Sequence, residues 1–259
     1  MNDKDILISH ALDMKEKCAD NSVITHTNFM SLEELSTVKV AEKQFSEYAD
    51  TYYYGGYDDA ERCIALFVPK FYSVSDIEEY LKENDDDNPI CILRLRKDRF
   101  STLSHRDYLG AIMGLGLKRE MTGDIKVSDE GADVFCLKSI APFICENLKK
   151  SGRGSVEGEI LSVGEFNSGF ENTEIRFCSV ASLRLDNIVA AAFNLSRSNA
   201  VEAINKGVIY VNSSQCLKND FILKEGDKLV FRGKGKTILH EIIGENKKGR
   251  VHINIKRYL

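Results

Sequence analysis

The sequence lacks the paired cysteines and clustered histidines that mark the common metal sites. Its seven cysteines are scattered without a CxxC pair, and its five histidines form no HExxH motif. Most of the cysteines stand beside apolar residues, a pattern typical of reduced thiols in a hydrophobic core. We therefore expect reduced cysteines and no metal site.

Long apolar runs are missing too, since no stretch approaches the roughly 18 residues that a membrane-spanning helix needs. The amino-terminal residues show no secretory signal pattern. Together with the odd number of cysteines, these absences predict a protein of the reducing cytoplasm that has no membrane partner.

Complete catalytic and cofactor-binding signatures are also absent. His105, Arg106 and Asp107 spell the HRD triplet of protein kinases, but no glycine-rich phosphate loop, strand lysine or DFG accompanies it. The GxG fragments that begin at Gly114 and Gly152 lack the GxGxxG spacing of a dinucleotide site. We predict no enzymatic activity and no small-molecule cofactor.

One catalytic fragment leaves an alternative open. Arg184, Leu185 and Asp186 match the RLD of pseudouridine synthases, although Asn-Ile-Val follows here instead of that family's Thr-Ser-Gly. We expect Asp186 to orient Arg184 or to cap the following helix. The alternative function is an RNA-modifying enzyme of this kind.

Charge is distributed unevenly along the 259 residues. Residues 1–90 carry 8 Lys and Arg against 20 Asp and Glu, residues 91–179 carry 13 of each class, and residues 180–259 carry 14 against 7. The last segment has a net charge of +7, although the whole chain has -5. A basic end fits contact with a polyanion, because lysine and arginine neutralise phosphates.

Hydrophobic periodicity predicts an α+β protein with three regions. Residues 1–61 read as a helical region, with helices at 3–18 and 31–48. Residues 62–166 alternate short strands and helices, and residues 180–259 combine a helical hairpin with a small antiparallel sheet. The connection between the last two regions is placed at residues 164–180.

The stretch from Arg184 to Asn212 predicts two short amphipathic helices and a strand. Ser196 can cap the second helix, and Gly207 suits the left-handed residue just past its end. Basic and small polar groups would then share one face, with the cations neutralising phosphates and the hydroxyl and amide groups forming hydrogen bonds. The candidate RNA-binding residues are Arg184, Asp186, Ser196, Arg197, Ser198, Asn199, Ala200, Asn205, Lys206, Gly207, Val211, Asn212, Ser213 and Lys218.

The ordered submotifs RLD, SRSNAVEAINKG, VIYVN and GDKLVF resemble the S4 RNA-binding module over about residues 182–233. One departure is the turn, where Asn212 and Ser213 replace the family's usual Asn-Gly. Two further motifs, GGYDDAERCIALFVP from Gly55 and LSHRDYLGAIMGLGLKREMTGDI from Leu103, are similar to hallmarks of the YlmH family of bacterial proteins.

This resemblance implies a helical amino-terminal part, an RNA-recognition-like α/β middle domain and a carboxy-terminal S4 domain. It also implies noncatalytic binding of structured RNA on the large ribosomal subunit, with rRNA as the target and tRNA as a further candidate. Quality control on stalled subunits that carry peptidyl-tRNA would be the role. A cell-division scaffold, whose acidic amino-terminal part binds protein, is a further alternative.

A second group of cations lies in the middle region. Ser104 and Asp107 predict the amino-terminal cap of a helix, which would leave Arg106 pointing outward. Lys118 and Arg119 follow the predicted end of that helix. Arg106, Lys118 and Arg119 are candidate secondary RNA contacts, with a solvated surface loop as the other interpretation.

Overall fold

The helices and strands follow the hydrophobic periodicity of the chain and divide between two units. The computed structural model describes residues 3–42, 49–58, 60–166, 173–246 and 249–258. Its two units are Met1–Asn167 and Ser168–Leu259. Within the described ranges, no helix has the length and apolar character needed to cross a membrane.

The helices are α1 (Asp3–Asn21), α2 (Leu32–Glu42), α3 (Ile77–Glu83), α4 (His105–Gly114), α5 (Ala141–Asn147), α6 (Leu185–Ala192) and α7 (Arg197–Asn205). The strands are β1 (Thr25–His26), β2 (Asp50–Tyr54), β3 (Ile64–Val68), β4 (Ile90–Lys97), β5 (Thr122–Val127), β6 (Gly131–Leu137), β7 (Lys150–Ser151), β8 (Gly154–Leu161), β9 (Thr173–Val180), β10 (Ile209–Val211), β11 (Ser214–Gln215), β12 (Lys228–Phe231), β13 (Gly235–Glu245) and β14 (Val251–Tyr258).

The amino-terminal region contains a three-stranded antiparallel sheet of order β1-β3-β2 besides its two helices. Helix α1 matches the predicted helix at 3–18, and α2 covers the first part of the predicted 31–48; residues 43–48 lie outside the described residues. The boundary predicted after residue 61 falls between β2 and β3, which pair along their full length. The sheet therefore joins the first two predicted regions, and the first region is not purely helical.

The middle region has the RNA-recognition-like α/β arrangement that the resemblance implied. Its elements run β4-α4-β5-β6-α5-β7-β8, and they form an antiparallel sheet of order β5-β6-β4-β8-β7. Without the short β7, this is the split β-α-β topology. The predicted capping box of Ser104 and Asp107 begins α4, and Tyr108 and Ile112 of that helix are fully buried in the core. The α+β fold class is confirmed.

The second unit combines the helical hairpin α6–α7 with a six-stranded antiparallel sheet of order β11-β10-β12-β13-β14-β9. The predicted helical hairpin and the predicted small antiparallel sheet are both present, and β13 and β14 form the last hairpin of that sheet. Strand β9 is a correction, because residues 173–180 were assigned to the connection. Instead they pair with β14 along its full length, and Cys178 and Val180 enter the core.

All seven cysteines lie in the described ranges and are unbonded, and five of them are buried. Cys91 and Cys136 are cross-strand neighbours, and their Sγ atoms are 3.8 Å apart. The hydrogen bond between the two thiols and the burial of Cys136 raise the pKa of the Cys136 thiol. The prediction of core thiols is confirmed for these residues.

Candidate RNA-binding surface

Two caps fix the helical hairpin of the second unit. After α6 ends, Asn194 adopts a φ of 55° and the Leu195 amide donates to the Ala190 carbonyl at 2.9 Å, as in a Schellman motif. Helix α7 then begins, and Ser196 Oγ accepts a hydrogen bond from the Asn199 amide at 3.2 Å. These local bonds place Arg197 in the first turn of α7.

Arg184, Asp186 and Arg197 form a cluster that we call the arginine clamp. Arg184 donates to both carboxylate oxygens of Asp186, from Nε and Nη2, at 3.2 Å each. Arg197 donates to Asp186 Oδ2 from Nε at 3.2 Å and from Nη2 at 3.0 Å. The expectation that Asp186 orients Arg184 is confirmed, and the structure adds Arg197 as its second partner.

The clamp joins a buried anion to exposed cations. The side chain of Asp186 is 2% exposed, whereas those of Arg184 and Arg197 are 37% and 62% exposed. Burial alone would raise the pKa of Asp186, but the hydrogen bonds and charges of the two guanidiniums outweigh it and lower that pKa. A guanidinium carries five N–H groups, so each arginine keeps donors beyond those that Asp186 accepts.

A loop that the sequence analysis did not select completes this face. The Asp186 amide donates to the Asn219 carbonyl at 3.1 Å, and Asn219 Nδ2 donates to Asn205 Oδ1 at 3.2 Å. The loop therefore ties the start of α6 to the end of α7, with the exposed Lys218 next to Asn219. The only sequence signal for Asn219 was its place beside Lys218.

The β10–β11 turn keeps its tight form despite the Asn-Ser sequence. Asn212 and Ser213 have φ values of 49° and 63°, and Val211 pairs directly with Ser214. Two left-handed residues in a two-residue hairpin turn are what Asn-Gly would supply. The Asn212 side chain also donates to Asp227 Oδ1 at 2.8 Å, which joins the turn to the loop before β12.

Three of the predicted contacts support the surface from inside. Ala200 is 0% exposed and Val211 is 6% exposed, so the structure moves both from the RNA contacts to the core. Gly207 has a φ of 70°, and a Cβ atom there would lie 2.5 Å from Gln215 Nε2. Gly207 therefore ends α7, as predicted. It also leaves room for the Gln215 side chain.

The remaining polar candidates lie at the two ends of α7. Ser198 and Asn199 are exposed in its first turn, and Lys206 follows its last residue. Lys206 Nζ lies 2.5 Å from Glu202 Oε1, one helical turn away. Arg197 and Lys206 are separated by roughly 13 Å along the helix at about 1.5 Å per residue, so they would meet different phosphates.

The three secondary candidates do not form one cluster. Arg106 is exposed in the first turn of α4, whereas Lys118 is exposed beyond the other end of that helix. Arg119 donates to the carbonyl oxygen of Thr122 and, at 2.8 Å, to its Oγ1. Burial and the neighbouring Arg62 lower the pKa of Arg119 to about 10. Its guanidinium is thus occupied inside the unit, and we leave Arg119 out of the proposed contacts.

One pocket of the first unit has a volume of about 490 Å³. Among its lining residues, Lys138 Nζ contacts Asp85 Oδ2 at 2.5 Å, and Asp87 accepts a hydrogen bond from the Tyr80 hydroxyl. Across the described residues, no three metal-ligating side chains are grouped in a way that could hold an ion.

Two protein-family models match this chain, one in the middle region and one in the second unit. One family model, described as "Putative RNA-binding domain in YlmH", matches residues 75–165, and the S4 domain model matches residues 183–229. The Bacillus subtilis (strain 168) protein named "Ribosome-associated protein quality control protein P2" is 32% identical over 204 residues, which cover 78% of this chain and 76% of the relative.

A solved structure, "Cell division protein ylmH from Streptococcus pneumoniae", is 18% identical with a TM-score of 0.49. The match covers 62% of this chain and 92% of that one. The family assignment rests on two findings. The match to the Bacillus subtilis relative covers most of both sequences, and the family model for the YlmH RNA-binding domain matches the middle region. The chain belongs to the YlmH family.

Proposed function

We propose that this chain is a noncatalytic RNA-binding protein that docks on ribosomal RNA through the arginine clamp. It would act in ribosome-associated quality control, on stalled large subunits that carry peptidyl-tRNA. The observation that carries the docking proposal is the clamp itself, in which one buried carboxylate orients two exposed guanidiniums. The name of the Bacillus subtilis relative supports the ribosome-associated role.

The clamp suits phosphate recognition because a guanidinium is a planar fork that binds a phosphate through two parallel hydrogen bonds. A free arginine loses side-chain entropy when it is ordered, at about 0.5–1.5 kcal/mol for a long side chain. Asp186 already holds both arginines before RNA arrives, so much of that loss has occurred in the free protein. Lys206 and Lys218 would add contacts to other phosphates, which favours recognition of RNA shape over base sequence.

The RNA-modifying alternative needs Asp186 to reach a base. Asp186 is 1% exposed, and both of its oxygens accept guanidinium N–H groups. A carboxylate that acts on a substrate must contact it, and the partners of Asp186 occupy that position here. The geometry therefore supports a positioning role for Asp186.

The test is cosedimentation of the full chain with purified ribosomal subunits on sucrose gradients. We expect wild type to travel with large subunits, and more strongly with those that retain peptidyl-tRNA. The double variant Arg184→Ala/Arg197→Ala should remain near the top of the gradient. Arg96→Ala is the matched control, since Arg96 is an exposed arginine paired to Glu159 at 3.1 Å on the sheet of the first unit.

Several results would contradict the proposal. Equal binding of the double variant and wild type would remove the clamp from the mechanism. Association that survives nuclease digestion of the RNA would indicate a protein scaffold. A clamp-dependent preference for small subunits, or no preference for peptidyl-tRNA, would refute the assigned role while leaving RNA docking intact. A new base in RNA that depends on Asp186, detected by mass spectrometry, would establish the modifying enzyme.

A further inference from the structure

Phe100 presents nearly its whole ring to solvent. It is 96% exposed, while Phe71 and Phe143, two other exposed phenylalanines of the same unit, are 68% and 46% exposed. A single exposed apolar residue is common and needs no explanation by itself. The residues around Phe100 make its exposure unusual.

The turn that carries Phe100 is held in place by Asp98. Oδ1 of Asp98 accepts from the Phe100 amide at 2.9 Å, and Oδ2 accepts from the Ser101 hydroxyl at 2.7 Å and the Ser155 amide at 2.8 Å. These bonds lower the pKa of Asp98, the Ser101 hydroxyl most of all. The segment Asp98–Ser101, here called the Asp98 turn, thus displays Phe100 from a fixed backbone.

The β7–β8 hairpin lies against both this turn and the start of α4. A Cβ atom on Gly154, at the start of β8, would lie 2.4 Å from Ser101 Oγ. A Cβ atom on Gly152, in the β7–β8 turn, would lie 3.0 Å from Asp107 Oδ1 in the first turn of α4. The Asp98 turn, the β7–β8 hairpin and the start of α4 therefore meet at one edge of the domain.

Each of these elements contributes an exposed cation. We define the Phe100 patch as Phe100 with Arg99, Arg106, Lys150 and Arg153, all of them exposed. Within the part of the chain that the structure describes, none of these four cations forms an ion pair with a carboxylate. The two acids closest in sequence, Asp98 and Asp107, accept hydrogen bonds from serine and backbone donors instead.

On the sheet face that carries Phe135, the described residues cover the position where a base would stack. RNA-recognition folds bind RNA by stacking bases on aromatic side chains of the sheet. Here Phe135 of β6 is 0% exposed and packs against Tyr57 and Phe166, with ring centroids 4.9 Å away in both cases. Arg94 on that face forms two bonds of 2.8 Å to Asp133. The ring of Phe135 is therefore covered by its neighbours, and Asp133 neutralises the charge of Arg94.

We propose that the Phe100 patch is a second RNA site, which binds an unpaired nucleotide. Phe100 stacks on the base, and Arg99, Arg106, Lys150 and Arg153 contact the flanking phosphates. Proteins bind single-stranded RNA through surfaces that combine an aromatic ring with unpaired cations, because every base has a face to stack and every nucleotide carries a phosphate. The absence of carboxylate partners for the patch cations in the described residues favours this polyanion over a protein partner.

The first measurement uses fluorescein-labelled single-stranded oligouridine and the full chain. The background variant is Arg184→Ala/Arg197→Ala, which removes the clamp, so the outcome is separate from the proposed function. We expect Phe100→Ala to weaken binding by about 5- to 150-fold, the range for loss of one stacked base, with an unchanged salt dependence. Phe100→Tyr should bind as the background does, because a tyrosine ring still stacks.

Removal of the patch cations should change the salt dependence of RNA binding. Arg99→Ala/Arg153→Ala should lower the slope of log affinity against log salt by about 1.4, at about 0.7 per phosphate contact on a single strand. Phe143→Ala is the matched aromatic control, and it should change neither affinity nor slope. All of these side chains are exposed, so the melting temperature should stay within about two degrees.

The second measurement does not depend on any variant. Oligouridine that contains 4-thiouridine, crosslinked to the wild-type chain by light, should yield a crosslinked peptide that includes Phe100. Crosslinks only elsewhere would overturn the proposal, as would equal oligouridine binding by Phe100→Ala and the background. If Phe100→Ala weakens ribosome association but leaves oligouridine binding unchanged, the patch binds protein, and the RNA assignment is wrong.

Discussion

Replacing Arg197 with alanine should weaken RNA binding much more than it weakens the fold. The substitution removes one exposed guanidinium from the clamp and leaves Asp186 with Arg184, whose two bonds of 3.2 Å remain. Two separate free energies change as a result. One is the free energy of unfolding of the second unit, and the other is the free energy of RNA binding.

The loss of folding stability should be small. Asp186 is buried, but Arg197 is 62% exposed, so solvent screens its charge. A hydrogen-bonded ion pair of this kind contributes about 1 kcal/mol. For a domain of 60 to 100 residues, that corresponds to a fall of about 4–8 °C in melting temperature. With a typical stability of at least about 5 kcal/mol, more than about 99% of the protein stays folded at 25 °C.

The loss of binding should be larger. A charged hydrogen bond to phosphate contributes about 1–3 kcal/mol, which is about 5- to 150-fold in affinity. Unfolding of less than about 1% of the protein cannot produce such a change. The two effects are therefore separable in one variant at one temperature.

The assay pairs ribosome cosedimentation with thermal melting for Arg197→Ala, Arg197→Lys and the control Lys82→Ala, a lysine ion-paired to Glu78 at 2.8 Å in the acidic first unit. Lysine retains the charge but not the planar fork, so Arg197→Lys should fall between wild type and alanine. The reasoning is refuted if Arg197→Ala cosediments as wild type does. A collapsed melting temperature together with lost binding would show that Arg197 is chiefly structural.

Three further predictions concern the same unit. The pKa of Asp186 is lowered by its two arginines despite its burial, so the stability from this pairing is present above the unfolded pKa of about 4 and is lost as the pH falls below it; urea unfolding at several pH values should show a smaller acid loss for Asp186→Asn than for wild type. Ser213→Gly should stabilise the unit by about 0.5–1 kcal/mol, because Ser213 has a φ of 63°; unchanged or lower melting temperatures would show that the turn is not strained. Binding of the wild-type chain to RNA should weaken with salt at a slope of about -3 if four phosphates are neutralised, and a flat response would rule out the electrostatic mechanism.

The parts of the surface that sequence could predict are those set by neighbouring residues. Ser196 accepts from an amide three residues later, and Gly207 ends the same helix, so both roles are visible in a short window. Asp186 and Arg197 are eleven residues apart, on different helices. Their contact depends on how α6 packs against α7, which no local pattern specifies. Asn219 is further still, and its bonds to Asp186 and Asn205 appear only when the loop is folded onto the helices.

Strand β9 and Arg119 illustrate two other limits. In β9 the alternation of Ile175 and Phe177 with polar residues does not mark the buried face, because these two side chains are 59% and 58% exposed while Cys178 and Val180 are buried. The strand is therefore defined by its pairing with β14, which a local pattern does not specify. Arg119 looks like a surface cation because it follows a helix end. Its side chain turns inward to the oxygens of Thr122, three residues later, and this inward direction depends on how the unit buries Arg119 beside Arg62.

A buried carboxylate in the middle of an RNA-binding surface opposes the attraction to RNA, because it cancels one of the two positive charges. Attraction to RNA depends mainly on the whole basic segment, whose net charge of +7 already includes Asp186. The orientation of two forked donors, by contrast, depends on one fixed acceptor between them. Loss of one negative charge therefore gains little attraction, whereas an asparagine keeps only one acceptor oxygen and turns an NH2 donor toward a guanidinium, so it cannot hold both arginines. On this argument Asp186→Asn should weaken binding to its structured RNA target although it makes the surface more positive, and a tighter complex would contradict the role of the clamp.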